Sequence, residues 1–420
     1  MPWDSSPRHG RPAPPGPDRI NEFSVKDCIV PMPSEKFTPA RRSAIRAAVR
    51  LLAAGAVAVG LSACSLFSSN KTPEPKPLEP NVALFAVSQV WTHQIGALGD
   101  IRLTPLVRDA DVTLATGNGT VVGLHGITGE ELWRVNLGER LTAGVGGDGR
   151  TYAVVSVQNE VIALRDGQEL WRHRLPARSY TAPLVAGGRV FVLTADRSVL
   201  ALDADNGAQI WLRENNDEAL ALQQSILMTA VRDTLVVGYS GRMVGLNPDS
   251  GSIRWEAPLA IPRGTNDIER LVDLVGSFSR EGENLCAQAF QTAIGCVDAR
   301  SGGTRWTQRL NGAVGVGGNA DAVFSVETNG RLQAWQRGDG KNLWLSDRLQ
   351  YRRLSAPLVL GRAVVVGDST GLLHLLETSD GSPLNRFQTN SSGISVAPFH
   401  AGNTLIAVTN NGAVYGFRPD

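Results

Sequence analysis

Short apolar runs closed by polar turns recur along most of the chain. Asp196 to Trp211, DRSVLALDADNGAQIW, shows the unit. Val199 and Ala201 alternate with Leu200 and Leu202, as in a strand buried on both faces. Asp203, Asn206 and Gly207 supply a turn in which Gly207 takes a positive φ at no steric cost. Ile210 and Trp211 then begin a second strand. Related strings are NGTVVGL (Asn118–Leu124), NEVIAL (Asn159–Leu164), GRMVGL (Gly241–Leu246), TGLLHLL (Thr370–Leu376) and NGAVYGF (Asn411–Phe417). A β-rich run precedes them, such as VFVLT from Val190 or AVVVG from Ala363. A further element reads Ser/Thr-Ala-Pro-Leu-Val at Thr181–Val185 and Ser355–Val359. Each unit thus holds four short strands, and no helical period lasts long enough to compete.

The tryptophans give the period. Trp91, Trp133, Trp171, Trp211, Trp255, Trp306 and Trp344 are separated by 42, 38, 40, 44, 51 and 38 residues, and Phe387 follows 43 later. Six of them stand four residues after a glycine: Gly129, Gly167, Gly207, Gly251, Gly302 and Gly340. A repeat of this length with four antiparallel strands predicts propeller blades. A β-sandwich has no reason to repeat an aromatic at such a period. The large ring near the end of the outer strand is expected to pack against the next blade, with the glycine turn allowing close backbone approach.

The two ends of the repeat complement each other. Ile394 to Phe417 supplies only three strands, whereas the Trp91 strand (Val87–Ile95) has no three strands before it. Pairing them predicts an all-β, eight-bladed propeller over 87–420, closed by the N-terminal strand joining the last blade. Closure removes the exposed sheet edge. The 51-residue step holds an insertion.

Composition agrees with a chain full of tight turns: 45 glycines in 420 residues. A net charge of +1, with no basic stripe, argues against a nucleic-acid partner. The N-terminal segment differs in kind. Residues 1–40 read as disordered or as a mis-assigned start: residues 1–31 are Pro- and Arg-rich, which suggests that translation begins at Met32. Residues 41–63 read as a signal peptide: Arg41, Arg42, Arg46 and Arg50, then an apolar run from Leu51 to Leu61 that is too short to span a bilayer. Leu61-Ser62-Ala63-Cys64 resembles a bacterial lipobox, which implies cleavage before Cys64 and acylation of Cys64. More than one acyl chain would anchor the protein stably. With Ser65 rather than Asp next, the resemblance points to the periplasmic face of the outer membrane. Residues 64–86 read as the lipidated cysteine and an extended Pro-rich tether.

Candidate chemistry is sparse. Cys286 and Cys296 flank a hairpin centred on Gln291; they are either a cross-strand disulfide or two small buried apolar residues. His93, His125, His173, His374 and His400 are scattered, without metal-ligand spacing. Asp203, Asp298 and Glu377 follow strands and read as turn formers rather than catalytic acids. No Gly-x-Ser-x-Gly, phosphate loop or Cys-x-x-Cys occurs. The expectation is a protein without catalytic residues, metal or cofactor.

LDADNGAQIW (Leu202–Trp211) and VDARSGGTRW (Val297–Trp306) are similar to the repeat of quinoprotein propellers. One such family, the pyrroloquinoline-quinone dehydrogenases, implies a periplasmic enzyme needing calcium, adjacent cysteines and a catalytic aspartate. This chain has no adjacent cysteines. The other is the BamB family, lipoprotein subunits of the outer-membrane β-barrel assembly machinery. Arg352–Pro357 with VVGDSTG (Val365–Gly371), DIERLVD (Asp267–Asp273) and NSSG (Asn390–Gly393) resemble it, as do the lipobox and the eight repeats.

That resemblance implies a non-enzymatic scaffold, monomeric within its complex. It would bind the periplasmic POTRA domains of BamA alongside other subunits, and its clients would be unfolded outer-membrane proteins. A propeller serving another envelope complex is the alternative. The family's partner surface is a Leu-x-Leu-Arg loop, here Leu220-Ala221-Leu222-Gln223, and an Arg-Leu-x-Asp-x-Asp loop. The second reads Arg270-Leu271-Val272-Asp273-Leu274-Val275 here. Gln223 and Val275 depart from the pattern. Independently, Glu214–Gln223 and Ala260–Glu269 are the longest excursions between blades, and long loops on a rigid scaffold are where binding concentrates. Leu220 and Leu222 beside Asp217 and Glu218 read as apolar anchors in a polar rim.

Overall fold

A computed structural model describes residues 73–99, 101, 103–215, 222–261 and 271–420. Met32, the signal peptide expected over 41–63 and Cys64 lie outside the described residues. The described residues contain no helix; they form eight sheets, each of four antiparallel strands. Blade 3 shows how the repeat folds. Its strands are Leu184–Ala186, Arg189–Leu193, Val199–Asp203 and Gln209–Arg213, from the centre of the ring outward. Blades 1 to 8 begin at Leu106, Gly146, Leu184, Met228, Leu274, Gly312, Leu358 and Phe399.

The ring closes as the repeat count requires. Val87–Gln94 pairs with Ala413–Pro419 as the outer strand of blade 8, with Trp91 opposite Gly416. The second and third strands of every blade are buried on both faces, because blades sandwich one another. The core therefore lies between blades: one cluster joins Val161 and Ala163 of blade 2 to Val192 and Leu200 of blade 3.

Six of the seven repeat tryptophans, all but Trp133, lie under the glycine turn of the blade that follows. At Gly207 (φ +72°) an added Cβ would sit 2.6 Å from the Trp171 ring. The Trp171 Nε1–H donates to Ala204 O (3.0 Å) in the same turn, and Trp211, Trp306 and Trp344 repeat that bond to Pro248, Arg337 and Thr378. Blade 2 departs from the rule. Its turn is the two-residue Asp166-Gly167, which is too tight to cover Trp133; that ring packs on Tyr152 at 5.1 Å.

Residues 73–86, expected as tether, are extended but not free. Leu78 and Phe85 pack into the cores around blades 6 to 8. Asn81 Nδ2 donates to Arg386 O (2.9 Å) and Leu84 N–H to Leu384 O (2.9 Å), so the segment runs antiparallel along the outer flank of blade 7.

Candidate partner-docking site

Antiparallel order puts the inter-blade connections and the turns between second and third strands on one face of the ring. The two longest connections leave that face side by side: 214–227 between blades 3 and 4, and 259–273 between blades 4 and 5. Leu220 and Arg270 lie outside the described residues. Leu222 is half-buried and Gln223 is exposed. Ile261, at the start of the second loop, is 66 % exposed.

Asp273 does not face outward. It is fully buried and ties the loops together from below. Its Oδ1 accepts from Ser240 N–H (3.1 Å) and from the Arg197 guanidinium (3.4 Å); its Oδ2 accepts from Leu222 N–H (3.3 Å). Its backbone carbonyl accepts from Phe290 N–H (3.0 Å). One residue thus gathers the turns of blades 3, 4 and 5 and the Leu222 loop. A buried carboxylate is tolerated only when paired and hydrogen-bonded, as here. Locally, Ser240-Gly241 is a two-residue turn with positive φ at both positions. The N–H groups of Leu259 and Ala260 both donate to Gly241 O (2.9 Å each), which seats the second loop on the blade 4 turn.

Arg197 and Ser240 escaped the sequence reading. The turn slot with φ +65° that Arg197 occupies is held by Gly119, Asn159, Gly330, Gly371 and Gly412 in other blades. An arginine where the backbone favours glycine is the signal that was available.

Blade 7 has a second polar cluster on the same face. Asp368 is fully buried and accepts from Arg352 (3.2 Å), His374 Nε2 (3.0 Å), Thr370 Oγ1–H (2.7 Å) and Leu372 N–H (3.1 Å). Burial works to raise its carboxyl pKa, but these donors outweigh burial and hold it well below the usual range. Burial pushes the His374 ring down more than the carboxylate raises it, leaving a neutral Nε2–H donor. His374, scattered in sequence, is in fact the buried partner of a neighbouring acid.

The remaining candidates resolve locally. Asp203 accepts from the N–H groups of Asp205 and Asn206, and Asp298 from those of Arg300 and Ser301, as turn formers do. Glu377 accepts from Thr378 N–H (3.1 Å) and from Arg362 (2.6 Å). Cys286 and Cys296 face each other across adjacent strands, Cα atoms 4.0 Å apart, and are disulfide-bonded. Beside them Arg337 is buried, which lowers its pKa; its Nη1 lies 3.3 Å from Cys286 Sγ.

The centre of the ring holds a cavity of about 630 Å³, lined by residues such as Thr104, Thr181, Ser225, Ser277, Phe278 and Val396. Its lining residues carry no carboxylate to hold a calcium ion. Among the described residues no group of three or more His, Cys, Asp or Glu is placed to hold a metal.

The family model described as outer membrane protein assembly factor BamB matches residues 117–346. A relative named outer membrane protein assembly factor BamB, from Burkholderia pseudomallei (strain K96243), is 36 % identical over 371 residues, covering 88 % of this chain and 97 % of its own. The crystal structure of BamB from Moraxella catarrhalis superposes with a TM-score of 0.71 at 26 % identity, over 79 % of this chain and all of that one. A quinohemoprotein alcohol dehydrogenase from Comamonas testosteroni shares the fold alone, at 14 % identity and a TM-score of 0.62, over 81 % of this chain and 78 % of its own. Matches in sequence along nearly the full length, together with the closed eight-bladed ring, place this chain in the BamB family.

Proposed function

We propose that the chain is a non-enzymatic scaffold lipoprotein of the outer-membrane protein assembly machinery. Acyl chains on Cys64 hold it at the periplasmic face of the outer membrane. It docks the POTRA domains of BamA through the 214–227 and 259–273 loops and so supports the insertion of β-barrel proteins. Family membership supports the assembly role. The observation that carries the docking reading is the Asp273 junction: its carboxylate ties Leu222 N–H to the Ser240 turn, whose Gly241 carbonyl in turn accepts from Leu259 and Ala260 next to Ile261. Leu220, Leu222 and Ile261 supply apolar anchors, while Gln223 and Arg270 form the polar rim. Asp273 acts by positioning these loops.

Leu220→Asp combined with Leu222→Asp is expected to keep the fold and lose most of the capture of BamA from solubilised membranes. Unchanged capture, or a collapsed fold, counts against the reading. The rival, a quinone-dependent dehydrogenase, has the fold likeness in its favour. Cofactor absorbance and dye-linked oxidation after saturation with quinone and calcium would establish it.

A further inference from the structure

The chain joins the propeller on the loop face, at the corner between blades 6 and 7. Lys76 N–H donates to Gln350 O (3.0 Å), and its ammonium pairs with Asp347 (3.0 Å). Glu79 pairs with Arg348 (2.6 Å), and Arg352 reaches Lys76 O (3.4 Å). Residues 347–352 belong to the connection between blades 6 and 7, on the face that carries the 214–227 and 259–273 loops. From this corner the segment descends the flank of blade 7 and turns into Val87–Gln94. Only twelve residue steps separate Cys64 from Lys76. Fully extended, they reach about 40 Å at most.

The position before the tryptophan is an exposed aliphatic residue in several blades (Leu132, Leu170, Ile210 and Leu343), and this corner adds two further exposed apolar side chains. Leu343 and Leu345 on the outer strand of blade 6 are 47 % and 48 % exposed, and Tyr351 is 42 % exposed. The position after the tryptophan is Arg134 in blade 1 and Arg172 in blade 2, both engaged in ion pairs. In blade 6 the same position is Leu345. Arg348 and Arg353, on the same connection as Tyr351, are exposed. Of the nearby acids, Asp347 and Glu79 are already paired with Lys76 and Arg348, and Asp380 accepts from Ser382 N–H (2.8 Å).

We propose that this corner is a membrane-contact surface: Leu343, Leu345 and Tyr351, with Arg353 on the same connection, seat against the phospholipid leaflet that holds the Cys64 acyl chains. The inference rests on the acylation of Cys64 and goes beyond it by naming which part of the ring meets lipid. The chemistry fits an anionic leaflet. Aliphatic side chains and the amphipathic Tyr351 enter the headgroup boundary, and the Arg353 guanidinium meets phosphate. Each arginine near an anionic surface adds attraction that salt screens.

The test uses the full acylated chain on vesicles of phosphatidylethanolamine and phosphatidylglycerol. An environment-sensitive fluorophore is attached at Leu345→Cys or Tyr351→Cys, with Leu170→Cys on the blade 2 rim as reference, and nitroxide-bearing lipids serve as quenchers. All three proteins are expected to float with the vesicles. Quenching is expected to be several-fold stronger at 345 and 351 than at 170. Arg353→Glu should reduce it without reducing flotation. Equal quenching at all three sites on floating protein overturns the proposal and leaves the anchor intact. Failure to float overturns the anchor and the proposal together. Quenching that needs a second envelope protein also overturns it, because the occupant is then protein.

Discussion

Asp273 and Asp368 are both fully buried, both on the loop face, and both paired with an arginine. They organise the chain over different distances. Every partner of the Asp368 carboxylate lies between Arg352 and His374, within blade 7 and the connection leading into it, while its backbone carbonyl accepts from Ile394 N–H (2.8 Å) in the next connection. Asp273 reaches back to Arg197, Ser240 and Leu222, joining three blades. A short-range polar cluster stiffens one blade. A long-range one fixes how loops from different blades stand beside each other, which a two-loop docking surface requires.

The largest effect should come from cutting the long-range junction. Asp273→Ala removes the buried carboxylate shared by Arg197, Ser240 N–H and Leu222 N–H, and breaking a buried pair from one side costs about 3–5 kcal/mol. Denaturant midpoints should fall accordingly, and amide exchange should rise in the turns of blades 3 and 4 together. If exchange rises at Leu222 alone, Asp273 is not the common support. A stability loss that spares the loops is the necessary control. The Cys286–Cys296 bond closes a short loop within blade 5. Cys286→Ala with Cys296→Ala should cost about 2–3 kcal/mol. BamA capture and loop exchange should stay unchanged. Lost capture in this variant would mean that docking follows overall stability rather than loop register.

The same contrast explains what was legible in the sequence. The eight blades could be counted because the tryptophan and its glycine turn are local and repeated, and the ring closed because the missing strand and the spare strand matched. Asp203 and Asp298 could be read as turn formers because their acceptors serve N–H groups two or three residues on. Asp273 could be placed in a loop but not inside it, since its partners stand 76, 51 and 33 residues away. Nor did a Pro-rich composition reveal that residues 73–86 dock on blade 7. That docking depends on Leu78 and Phe85 finding gaps between neighbouring blades.

The short-range cluster should show itself as a dependence on pH, the smallest of the three effects. Burial depresses the His374 pKa below its ordinary value, with Arg352 and Arg386 adding to the depression. As pH falls through about 6.5 the unfolded chain takes up a proton at this histidine while the folded chain does not. His374 therefore contributes stability above that pH which is lost progressively as the medium becomes acid, with a slope of at most about 1.4 kcal/mol per pH unit. Asp368 is depressed as well, so its contribution stays intact until pH falls below about 4, the ordinary range of an unfolded aspartate. Between these limits the slope from the pair belongs to His374. His374→Gln keeps an N–H donor for the carboxylate and removes the titration. Urea midpoints at pH 7.5, 6 and 5 should therefore fall less steeply in the variant than in the parent. Parallel lines would show that the fold does not depress the ring's pKa, and a steeper fall in the variant would show that the ring is already protonated in the fold, making the Asp368 cluster a charged triad rather than a carboxylate held by a neutral histidine and one arginine.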